Sequence, residues 1–457
     1  MTGVMDNIND KSQVFIASPG GSLCGEVRVP GDKSISHRAI MLGALAEGET
    51  VIDGFLDGED ALATLNAFRA MGVSIDGPDQ GRVVVHGVGM HGLQPPQAPL
   101  DLGNAGTAMR LMAGLMAPQP FAVTLTGDQS LSRRPMNRVV EPLRVMGANI
   151  DTAPGGRPPL VIHGGARLRG INYSLPVASA QVQSCLLLAG LFAEGETITT
   201  VPGVVRDHTS RMLRGFGYPV SVCGDYNTTV AVKGGGKLTP AHIVVPGDVS
   251  SAAFFMVAAS IAPGSEIRLN HVGMNPTRCG VVEILTMMGA DITVVNESLV
   301  GGEPVADLVV RPAQLKGIVI PPRLVPVAID EFPVLFIAAA CADGQTVLTG
   351  ASELRVKESD RIQAMADGLQ ALGVDAQPLT DGMIVNGSGR EGAPAFAGGQ
   401  INSHGDHRIA MAFAVAALRA QGDIRILDCA NVATSFPDFV GLASRAGMRI
   451  VVEGTGQ

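Results

Sequence analysis

The sequence predicts an α/β protein of two domains, each built from three copies of one β-α-β-α-β unit. The first observation is a phrase that occurs six times, in which a helix-like segment is followed by a glycine and an alternating apolar strand. The glycines of the six copies are Gly72, Gly147, Gly217, Gly289, Gly373 and Gly447. Glycine just past a helix end favours the left-handed backbone that closes the helix. Each copy therefore predicts a helix end followed by a strand.

The second observation is a set of six strongly apolar segments, one in each unit. They read ISHRAIML, AGTAMRLM, AQVQSCLL, SSAAFFMV, FPVLFIAA and HRIAMAFA. A helix that is apolar on nearly every face belongs in a protein interior, packed on all sides. Each unit is therefore expected to contain one buried and one amphipathic helix.

The third observation is that the junction VPGD occurs twice, at residues 29–32 before the first unit and at residues 245–248 before the fourth. We therefore place one domain at residues 31–246. The other is expected to combine residues 1–30 with residues 247–457. The chain would then pass between the domains twice.

The composition excludes several classes of protein. A net charge of −9 argues against a nucleic-acid surface or a polybasic membrane anchor. The six cysteines are scattered without a CxxC pair, which favours free thiols in a reducing compartment and no metal site. The N-terminus lacks a signal-peptide pattern, and the apolar runs are shorter than the roughly 20 residues that span a bilayer. We expect a soluble cytoplasmic protein.

Polar residues gather just before the six apolar helices, in GDKSISHR, GNAGTAMR, ASAQ, GDVSS, IDEFP and GDHR. A helix start exposes unpaired N–H groups and partial positive charge, which favours anions. Five of these residues strengthen that preference as cations: Lys33, Arg38, Arg110, His407 and Arg408. Any single start is equally typical of an ordinary N-cap. If the helices run parallel within each domain, their starts converge on the interdomain cleft and predict a phosphate or carboxylate ligand.

Two further stretches carry charge. Arg133, Arg134 and Arg138 occur within GDQSLSRRPMNR, and arginine pairs suit bidentate capture of phosphate or carboxylate. The second stretch, LRVKESDRIQAM, alternates cations and carboxylates, which is also typical of a solvated helix face. The P-loop, HExxH and GxSxG patterns are absent.

Seven of these phrases, in this order and over nearly the whole chain, resemble the 5-enolpyruvylshikimate-3-phosphate synthase family: PGDKSISHR, LGNAGTAMR, RRPMNR, SAQ, IDEFP, RVKESDR and DHRIAM. The resemblance implies a two-domain inside-out α/β barrel with three βαβαββ units per domain. It also implies transfer of the carboxyvinyl group of phosphoenolpyruvate to the 5-hydroxyl of shikimate 3-phosphate, with release of phosphate. This is a step of the shikimate pathway toward chorismate. The resemblance implies no metal or cofactor, and we expect a monomer.

The resemblance also assigns site residues. For shikimate 3-phosphate it implies Lys33, Ser34, Arg38, Ser179, Ala180, Gln181, Arg206, Asp330 and Lys357. For phosphoenolpyruvate it implies Lys33, Asn104, Gly106, Arg134, Gln181, Glu358, Arg361, His407 and Arg408. Lys33, Asp330 and Glu358 are the expected catalytic groups, with Asp330 at the 5-hydroxyl and Glu358 at C3 of phosphoenolpyruvate. Which of the three handles each proton is left open at this point.

The sequence departs from the commonest form of the family at several positions. Arg206 stands where many members have tyrosine, and Thr434 stands where many have lysine. Together with NPTR at residues 275–278, these departures resemble the divergent second class of the family. Glyphosate, an inhibitor of the family, competes for the phosphoenolpyruvate pocket, and an alanine at the position of Gly106 narrows that pocket in resistant members. We expect room for glyphosate here, and closure of the two domains on shikimate 3-phosphate.

Two other functions remain open at the level of sequence. The sister transferase that acts on UDP-N-acetylglucosamine shares the fold but uses a cysteine in a mobile loop, and GDQSLSRRPMNR contains none. A non-catalytic phosphate-binding protein on the same scaffold would keep the arginines but could lose Asp330 and Glu358, which are both present.

Overall fold

A computed structural model describes residues 13–225, 228–388 and 393–453. The first half of the chain forms, in order, β1 (Phe15–Ser18), β2 (Cys24–Val27), α1 (Lys33–Leu45), β3 (Glu47–Asp53), α2 (Glu59–Ala70), β4 (Ser74–Asp79), β5 (Arg82–Val88), β6 (Leu100–Asp101), α3 (Gly106–Met116), β7 (Val123–Thr126), α4 (Asn137–Val145), β8 (Asn149–Ala153), β9 (Arg157–His163), β10 (Asn172–Ser174), α5 (Ala180–Gly190), β11 (Glu196–Thr200), α6 (His208–Gly215), β12 (Ser221–Cys223), β13 (Thr229–Lys233) and β14 (His242–Val244).

The second half repeats the pattern with α7 (Val249–Ile261), β15 (Glu266–Gly273), α8 (Gly280–Met287), β16 (Asp291–Val300), β17 (Glu303–Arg311), α9 (Phe332–Cys341), β18 (Asp343–Leu348), α10 (Arg361–Ala371), β19 (Asp375–Leu379), β20 (Gly382–Ser388), β21 (Gly399–Asn402), α11 (His407–Ala416), β22 (Ile424–Leu427), α12 (Phe439–Ala446) and β23 (Arg449–Val452). Short 3₁₀ turns at Leu131–Arg133, Ser352–Val356 and Ala430–Thr434 precede α4, α10 and α12.

The six predicted glycine helix ends are present. All six glycines have positive φ, from 73° at Gly217 to 115° at Gly447. A residue with a side chain would be strained at positive φ. Glycine therefore ends the amphipathic helix of each unit, called the outer helix below, and directs the chain into the next strand. The predicted six-fold repeat is therefore a repeat of backbone geometry as well as of sequence.

The described residues form six sheets, one for each unit. In a complete unit, the strand after the buried helix pairs in parallel with the strand before that helix. It also pairs antiparallel with one arm of the hairpin that follows the outer helix. The second and third units show this arrangement, with strand orders β6-β7-β9-β8 and β10-β11-β13-β12.

Three units are completed by strands from elsewhere in the chain. β14 pairs in parallel with β3 of the first unit, and β2 pairs in parallel with β15 of the fourth. The N-terminal strand β1 lies between β22 and β23 and completes the sixth sheet. These exchanges place the start of the described chain among the last three units.

The six apolar helices form the interior: α1, α3, α5, α7, α9 and α11. All thirteen residues of α7 are buried. The outer helix α2, by contrast, buries a single stripe from Ala61 to Phe68. Helices at the centre with sheets around them are the inside-out α/β arrangement that the sequence predicted.

Buried apolar residues form two clusters. One cluster draws on residues 35–245, and the other on residues 15–29 and 249–450. We propose that each is the core of one domain, with the boundaries predicted from the two VPGD junctions. Residues 1–12, 226–227, 389–392 and 454–457 of those predicted domains lie outside the described residues.

The two segments that connect the clusters, residues 29–32 and 245–248, are paired with each other; we call them the crossing segments. Gly31 and Gly247 form an isolated antiparallel bridge. The amide of Asp32 donates to the carbonyl of Pro246 at 2.8 Å, and the amide of Asp248 donates to the carbonyl of Pro30 at 2.9 Å. The repeated VPGD phrase is therefore a two-stranded connection between the clusters. Within the described part of the chain, no helix combines the length and apolarity needed to cross a bilayer.

A close approach of α3 to α5 provides a test of this packing. A methyl group at Gly114 would overlap the carbonyl oxygen of Cys185. We expect Gly114→Ala to lower the free energy of unfolding by about 1–3 kcal/mol through overpacking, despite alanine's better helix propensity. Urea titration followed by circular dichroism measures it. Gly399→Ala is the control, because its methyl would lie 3.4 Å from Leu372, and equal stability of the two variants would contradict the helix spacing.

Candidate active site

Side-chain contacts place the starts of α1, α3 and α5 side by side. Arg110 donates from Nη1 to Oε1 of Gln181 at 2.8 Å, which joins the first turns of α3 and α5. Arg38 donates from Nη2 to Oγ of Ser184 at 2.9 Å, which joins α1 to α5. The three buried helices of the first cluster therefore run parallel and begin at one face.

The second cluster repeats the arrangement. Ser250 at the start of α7 donates to Glu331 at the start of α9. Arg408 at the start of α11 donates from Nη1 to the backbone oxygen of Asp330 at 2.9 Å. These three helices also begin at one face.

The two faces meet. Lys33 donates from Nζ to Oγ of Ser435 at 2.8 Å, and Arg206 forms an ion pair with Asp330. Both pairs join residues of different clusters. The helix starts therefore lie near the junction of the two clusters, which we call the cleft. Unpaired N–H groups at helix starts favour an anion.

Asp330 lies at the centre of the cations in this cleft. Its Oδ1 is 3.3 Å from Nη1 of Arg361 and 3.4 Å from Nζ of Lys357, and Arg206 contacts its other oxygen. Burial by itself would raise the pKa of Asp330, but the charges of Lys357 and then Arg206 outweigh burial and hold the pKa well below its ordinary value. Asp330 is therefore an ionised hydrogen-bond acceptor at neutral pH.

Glu358 lies at the edge of the same group. Its Oε2 is 2.7 Å from Nη2 of Arg361, and 37% of its side chain is exposed. Burial would raise the pKa of Glu358, but the charge of the adjacent Arg361 lowers it to about 2. Glu358 is ionised at neutral pH.

Arg361 links three carboxylates although only 1% of its side chain is exposed. Besides Asp330 and Glu358, it binds Asp406 from Nε at 2.8 Å, and Asp406 is fully buried. Asp406 also accepts from the amide of Arg408 and so caps α11. Arg361 therefore connects the start of α10 to the start of α11.

Lys33 has a partner that the sequence did not reveal. Its Nζ is 2.9 Å from Oδ2 of Asp60 in the first turn of α2. Burial would raise the pKa of Asp60, but the adjacent charge of Lys33 lowers it. Asp60 thus directs the ammonium group of Lys33 across the cleft toward Ser435.

His407 differs from the sequence-based expectation that it adds a positive charge. The residue is 7% exposed at the first position of α11. Burial, followed by the charge of Arg408, lowers the pKa of His407 to about 3. Its imidazole is therefore neutral at physiological pH, and it lies close enough to Lys33 and Glu358 to interact with both electrostatically.

A second group of cations surrounds the start of α3. Arg134 donates from Nη2 to Oδ1 of Asn104 at 2.6 Å, and Arg110 donates to the backbone oxygen of Gly106 at 3.2 Å. Burial, and then the charges of Arg138 and Arg134, lower the pKa of Arg110 to about 10. Arg110 is therefore still charged at neutral pH, and an anion among these guanidinium groups is favoured.

The residues of α1 and α5 that are predicted to bind shikimate 3-phosphate differ in burial. Ser34 and Ser179 are partly exposed, and Ser179 caps α5 by accepting from the amide of Val182 at 3.4 Å. Arg38 is 3% exposed, and its three guanidinium nitrogens already donate to Thr209, Ser184 and the backbone oxygen of Ser34. A phosphate contact from Arg38 would use the second hydrogen of a terminal nitrogen.

Sequence reasoning missed three residues of the cleft: Asp60, Asp406 and Ser435. It also gave no sign that Arg110 donates a hydrogen bond to Gln181. Asp60 and Asp406 are in the first turn or cap of a helix, where an acidic residue is common for local reasons. Thr434 was singled out instead of Ser435, but its hydroxyl donates to the backbone oxygen of Asn431 at 2.7 Å. Spacing along the chain contains no signal for these contacts, since the partners are between 27 and 402 residues apart.

The cysteines and the acidic residues were compared with the needs of a metal site over the described part of the chain. All six cysteines are unpaired. The described residues contain no group of three or more His, Cys, Asp or Glu side chains that could hold a metal ion.

Comparison with known proteins identifies the family. Residues 17–442 match the family model described as EPSP synthase (3-phosphoshikimate 1-carboxyvinyltransferase). The chain belongs to the EPSP synthase family. A relative from Methylococcus capsulatus, named 3-phosphoshikimate 1-carboxyvinyltransferase, is 63% identical over 97% of this chain and 100% of its own. One of the same name from Alkalilimnicola ehrlichii is 65% identical over 95% of this chain and 96% of its own.

A solved structure supports the fold. The EPSP synthase of Acinetobacter baumannii is 58% identical, with a TM-score of 0.90 that covers 96% of this chain and 100% of that one. The predicted family and its two-domain α/β fold are confirmed. The reaction of this family uses two anionic substrates, which suits a cleft that contains lysine and arginine side chains.

Arg361 should be essential for the stability of the cleft. We expect Arg361→Gln to cost about 3–5 kcal/mol, because it leaves Asp406 as a buried unpaired charge. In the wild type, unfolding restores the depressed pKa of Glu358 from about 2 toward 4.5. The unfolded chain therefore binds more protons in that range, and wild-type stability falls as the pH drops through it. The variant should show a shallower fall.

Chemical denaturation between pH 7 and pH 3 measures both effects. Arg311→Gln is the control, because Arg311 pairs with Glu266 at 2.9 Å on the surface, with exposed fractions of 41% and 66%. A surface pair of this kind should change stability by about 0.5 kcal/mol or less. An Arg361→Gln variant as stable as this control would contradict the central role of Arg361.

Proposed function

We propose that the cleft between the two clusters is the active site of a carboxyvinyl transfer, with Lys33, Asp330 and Glu358 as its catalytic groups. The reaction moves the carboxyvinyl group of phosphoenolpyruvate to the 5-hydroxyl of shikimate 3-phosphate and releases phosphate. The observation that carries this proposal is the meeting of Lys33 with Ser435 and of Arg206 with Asp330. These contacts bring the three groups, distant in sequence, into one anion-binding cleft.

We place shikimate 3-phosphate beside Asp330. The carboxylate of Asp330 would accept the hydrogen of the 5-hydroxyl, and its ionised state suits that role. Lys357 and Arg206 already contact this carboxylate, and they would neutralise charge as the substrate binds. Lys33, Ser34, Ser179, Ala180 and Gln181 line the first cluster's side of the cleft, with Arg38 behind them.

We place phosphoenolpyruvate between the start of α3 and the start of α11. Arg134, with Asn104, Gly106 and Gln181, would bind its phosphate, while Arg361 and Arg408 would bind its carboxylate. The neutral imidazole of His407 can donate a hydrogen bond without adding charge. Preorganised cations of this kind stabilise the charge of an anionic adduct without reorganising during the reaction.

The chemistry is an addition followed by an elimination. The 5-hydroxyl oxygen bonds to C2 of phosphoenolpyruvate and loses its proton, while C3 gains a proton to become a methyl group. The adduct then loses phosphate from C2 and a proton from C3, which restores the double bond. We assign Asp330 to the hydroxyl, Glu358 to C3, and Lys33 to proton transfer and the charge of the departing phosphate.

The low pKa of Glu358 fits this assignment once the substrates are considered. Protonation of C3 requires the acid form of a group that is ionised in the cleft described here. Two polyanionic substrates would add negative charge beside Glu358 and raise its pKa toward neutrality. The acid would then form only in the loaded site.

We also propose that the chain works as a monomer in the cytoplasm. Its six unpaired cysteines suit a reducing compartment. The sister reaction on UDP-N-acetylglucosamine is disfavoured because the segment around Leu131–Arg133 lacks a cysteine. A purely phosphate-binding role is disfavoured by the retention of Asp330 and Glu358.

Removal of Lys33 tests the site. We expect Lys33→Ala to lower turnover by about 10²–10⁴-fold, as for the loss of a positioned acid–base group. The measurement is phosphate release from phosphoenolpyruvate with and without shikimate 3-phosphate. Lys237→Ala is the control, because Lys237 is 73% exposed and pairs with Glu47 outside the cleft. Near-normal turnover in Lys33→Ala, or release without shikimate 3-phosphate, would contradict the proposal.

Gly106 tests the phosphoenolpyruvate pocket. A methyl group there would lie 2.9 Å from Nη1 of Arg110 and 3.1 Å from Nη1 of Arg134, so both guanidinium groups must move. Since hydrogen bonds to charged groups contribute about 1.5–3 kcal/mol, we expect Gly106→Ala to raise the KM for phosphoenolpyruvate roughly 10-fold. Inhibition by glyphosate should weaken as well. Steady-state kinetics with Gly399→Ala as control measures both, and unchanged inhibition would contradict the steric argument.

A further inference from the structure

Two motifs that set this chain apart from the commonest form of its family, VVRDH at residues 204–208 and NPTR at residues 275–278, meet where the chain crosses between the clusters. NPTR belongs to the second cluster and precedes α8. VVRDH belongs to the first and leads into α6. The reaction assigned above uses only Arg206 from these two motifs.

Arg278 binds both crossing segments at once. Its Nη1 is 2.8 Å from Oδ2 of Asp32, and its Nη2 is 2.8 Å from Oδ1 of Asp248. Only 4% of the Arg278 side chain is exposed. The two aspartates are the last residues of the two VPGD phrases, so one guanidinium joins both connections between the clusters.

Both aspartates also cap buried helices. Asp32 accepts from the amide of Ile35 at 2.9 Å and caps α1, and Asp248 accepts from the amide of Ser250 at 2.9 Å and caps α7. Lys33 directly follows Asp32 in the chain. Arg278 therefore holds the residue that caps α1 and directly precedes Lys33.

The same guanidinium extends into the other half of the active site. Nη2 of Arg278 also donates to Oγ of Ser250 at 2.8 Å, and Ser250 in turn donates to Glu331. Glu331 directly follows Asp330, and its Oε1 is 3.6 Å from Nη1 of Arg408. A continuous chain of contacts thus runs from Arg278 to the backbone that carries Asp330.

Asn275 makes a second junction between the clusters. Its Nδ2 donates to Oδ1 of Asp207 at 2.7 Å and to Oε2 of Glu303 at 2.9 Å. The other oxygen of Glu303 lies 2.8 Å from Nδ1 of His208, and both of those side chains are at most 5% exposed. Asp207 directly follows Arg206, so this junction holds the residue that reaches across to Asp330.

We propose that Asn275 and Arg278 are positioning residues for the transfer: they clasp the two clusters in the orientation that brings Lys33 and Arg206 to Asp330 and Glu358. We call these two residues and their carboxylate partners Asp32, Asp207, Asp248 and Glu303 the hinge clasp. This inference rests on the proposed function of the cleft. It assigns a role to residues that would touch neither substrate.

The chemistry of arginine explains why this residue occupies the junction. A planar guanidinium can hold two carboxylates on separate segments in fixed directions, whereas the ammonium of lysine is a flexible point charge. Burying such charges costs desolvation free energy, so an ion pair of this kind is weak evidence for stability alone. A role in fixing the geometry of the active site explains better than stability does why a buried arginine is shared by the two crossing segments.

The test compares clasp variants with matched controls at a temperature where all are folded. Arg278→Lys keeps the positive charge but can face only one aspartate well. Asp248→Asn keeps the helix cap, since asparagine caps as well as aspartate, and loses only the charge. We expect each to lower kcat/KM for phosphoenolpyruvate about 10- to 100-fold, because a misplacement near 1 Å costs about that much. Asn275→Ala should act in the same direction.

Two further measurements distinguish positioning from general stability. Gly114→Ala destabilises the α3–α5 contact without touching the clasp and should keep its kcat/KM when folded. The kcat/KM of the double variant Arg278→Lys, Asp248→Asn should be no lower than that of the more impaired single variant. The reason is that both substitutions disrupt the same ion pair, between Arg278 and Asp248. X-ray scattering should show less compaction on adding shikimate 3-phosphate in the clasp variants than in the wild type.

The outcomes separate the two proposals. If the wild type itself does not release phosphate, the proposed function fails. If the wild type turns over and the clasp variants match it within about twofold while only their melting temperatures fall, the clasp is merely structural and this inference is wrong. Should Arg278→Lys fail to fold, Asp248→Asn and Asn275→Ala decide the question, because neither removes the arginine.

Discussion

Helices that are apolar on every face leave only their ends for polar contacts, and the rest of this structure depends on that constraint. Burying α7 on all sides, for example, requires sheets around it and gives the inside-out arrangement. Three such helices in each cluster must then present their starts at one face. Two faces with exposed N–H groups and lysine or arginine side chains form a cleft suited to polyanions. The binding site thus follows from the way the interior is packed.

Carboxylates are as important as cations in this cleft. Asp330, Glu358 and Asp406 surround Arg361, and Asp60 directs Lys33. These pairs keep the cations from repelling one another before a substrate arrives. They also keep Asp330 and Glu358 ionised, so that in the proposed function Asp330 would accept from a hydroxyl and Glu358 would gain a proton when anions bind nearby. Charge balance in the empty site and reactivity in the loaded site thus have the same origin.

Much of this organisation was predictable because it depends on local chemistry. The glycine helix ends, the apolar helices and the polar helix starts each obey a rule that acts within a few residues. The seven phrases together indicated the family, and the comparisons confirmed it. His407 shows where such rules fail, since a histidine beside arginine and aspartate was expected to be charged, whereas burial makes it neutral. Asp60 shows the complementary failure, because an acidic residue in the first turn of a helix is common for local reasons and gives no sign of the contact with Lys33.

The sequence by itself determined the number of units, the boundaries of the buried helices, the family and the identity of most charged residues in the cleft. Only the tertiary structure decided which of those residues meet. The exchange of β2 and β14, the position of β1 in the sixth sheet and the contact of Arg278 with Asp32 all join segments at least 191 residues apart. The physical reason is that helix ends and turns depend on neighbouring residues. Ion pairs and strand exchange depend instead on where whole units pack, which local sequence rules do not determine.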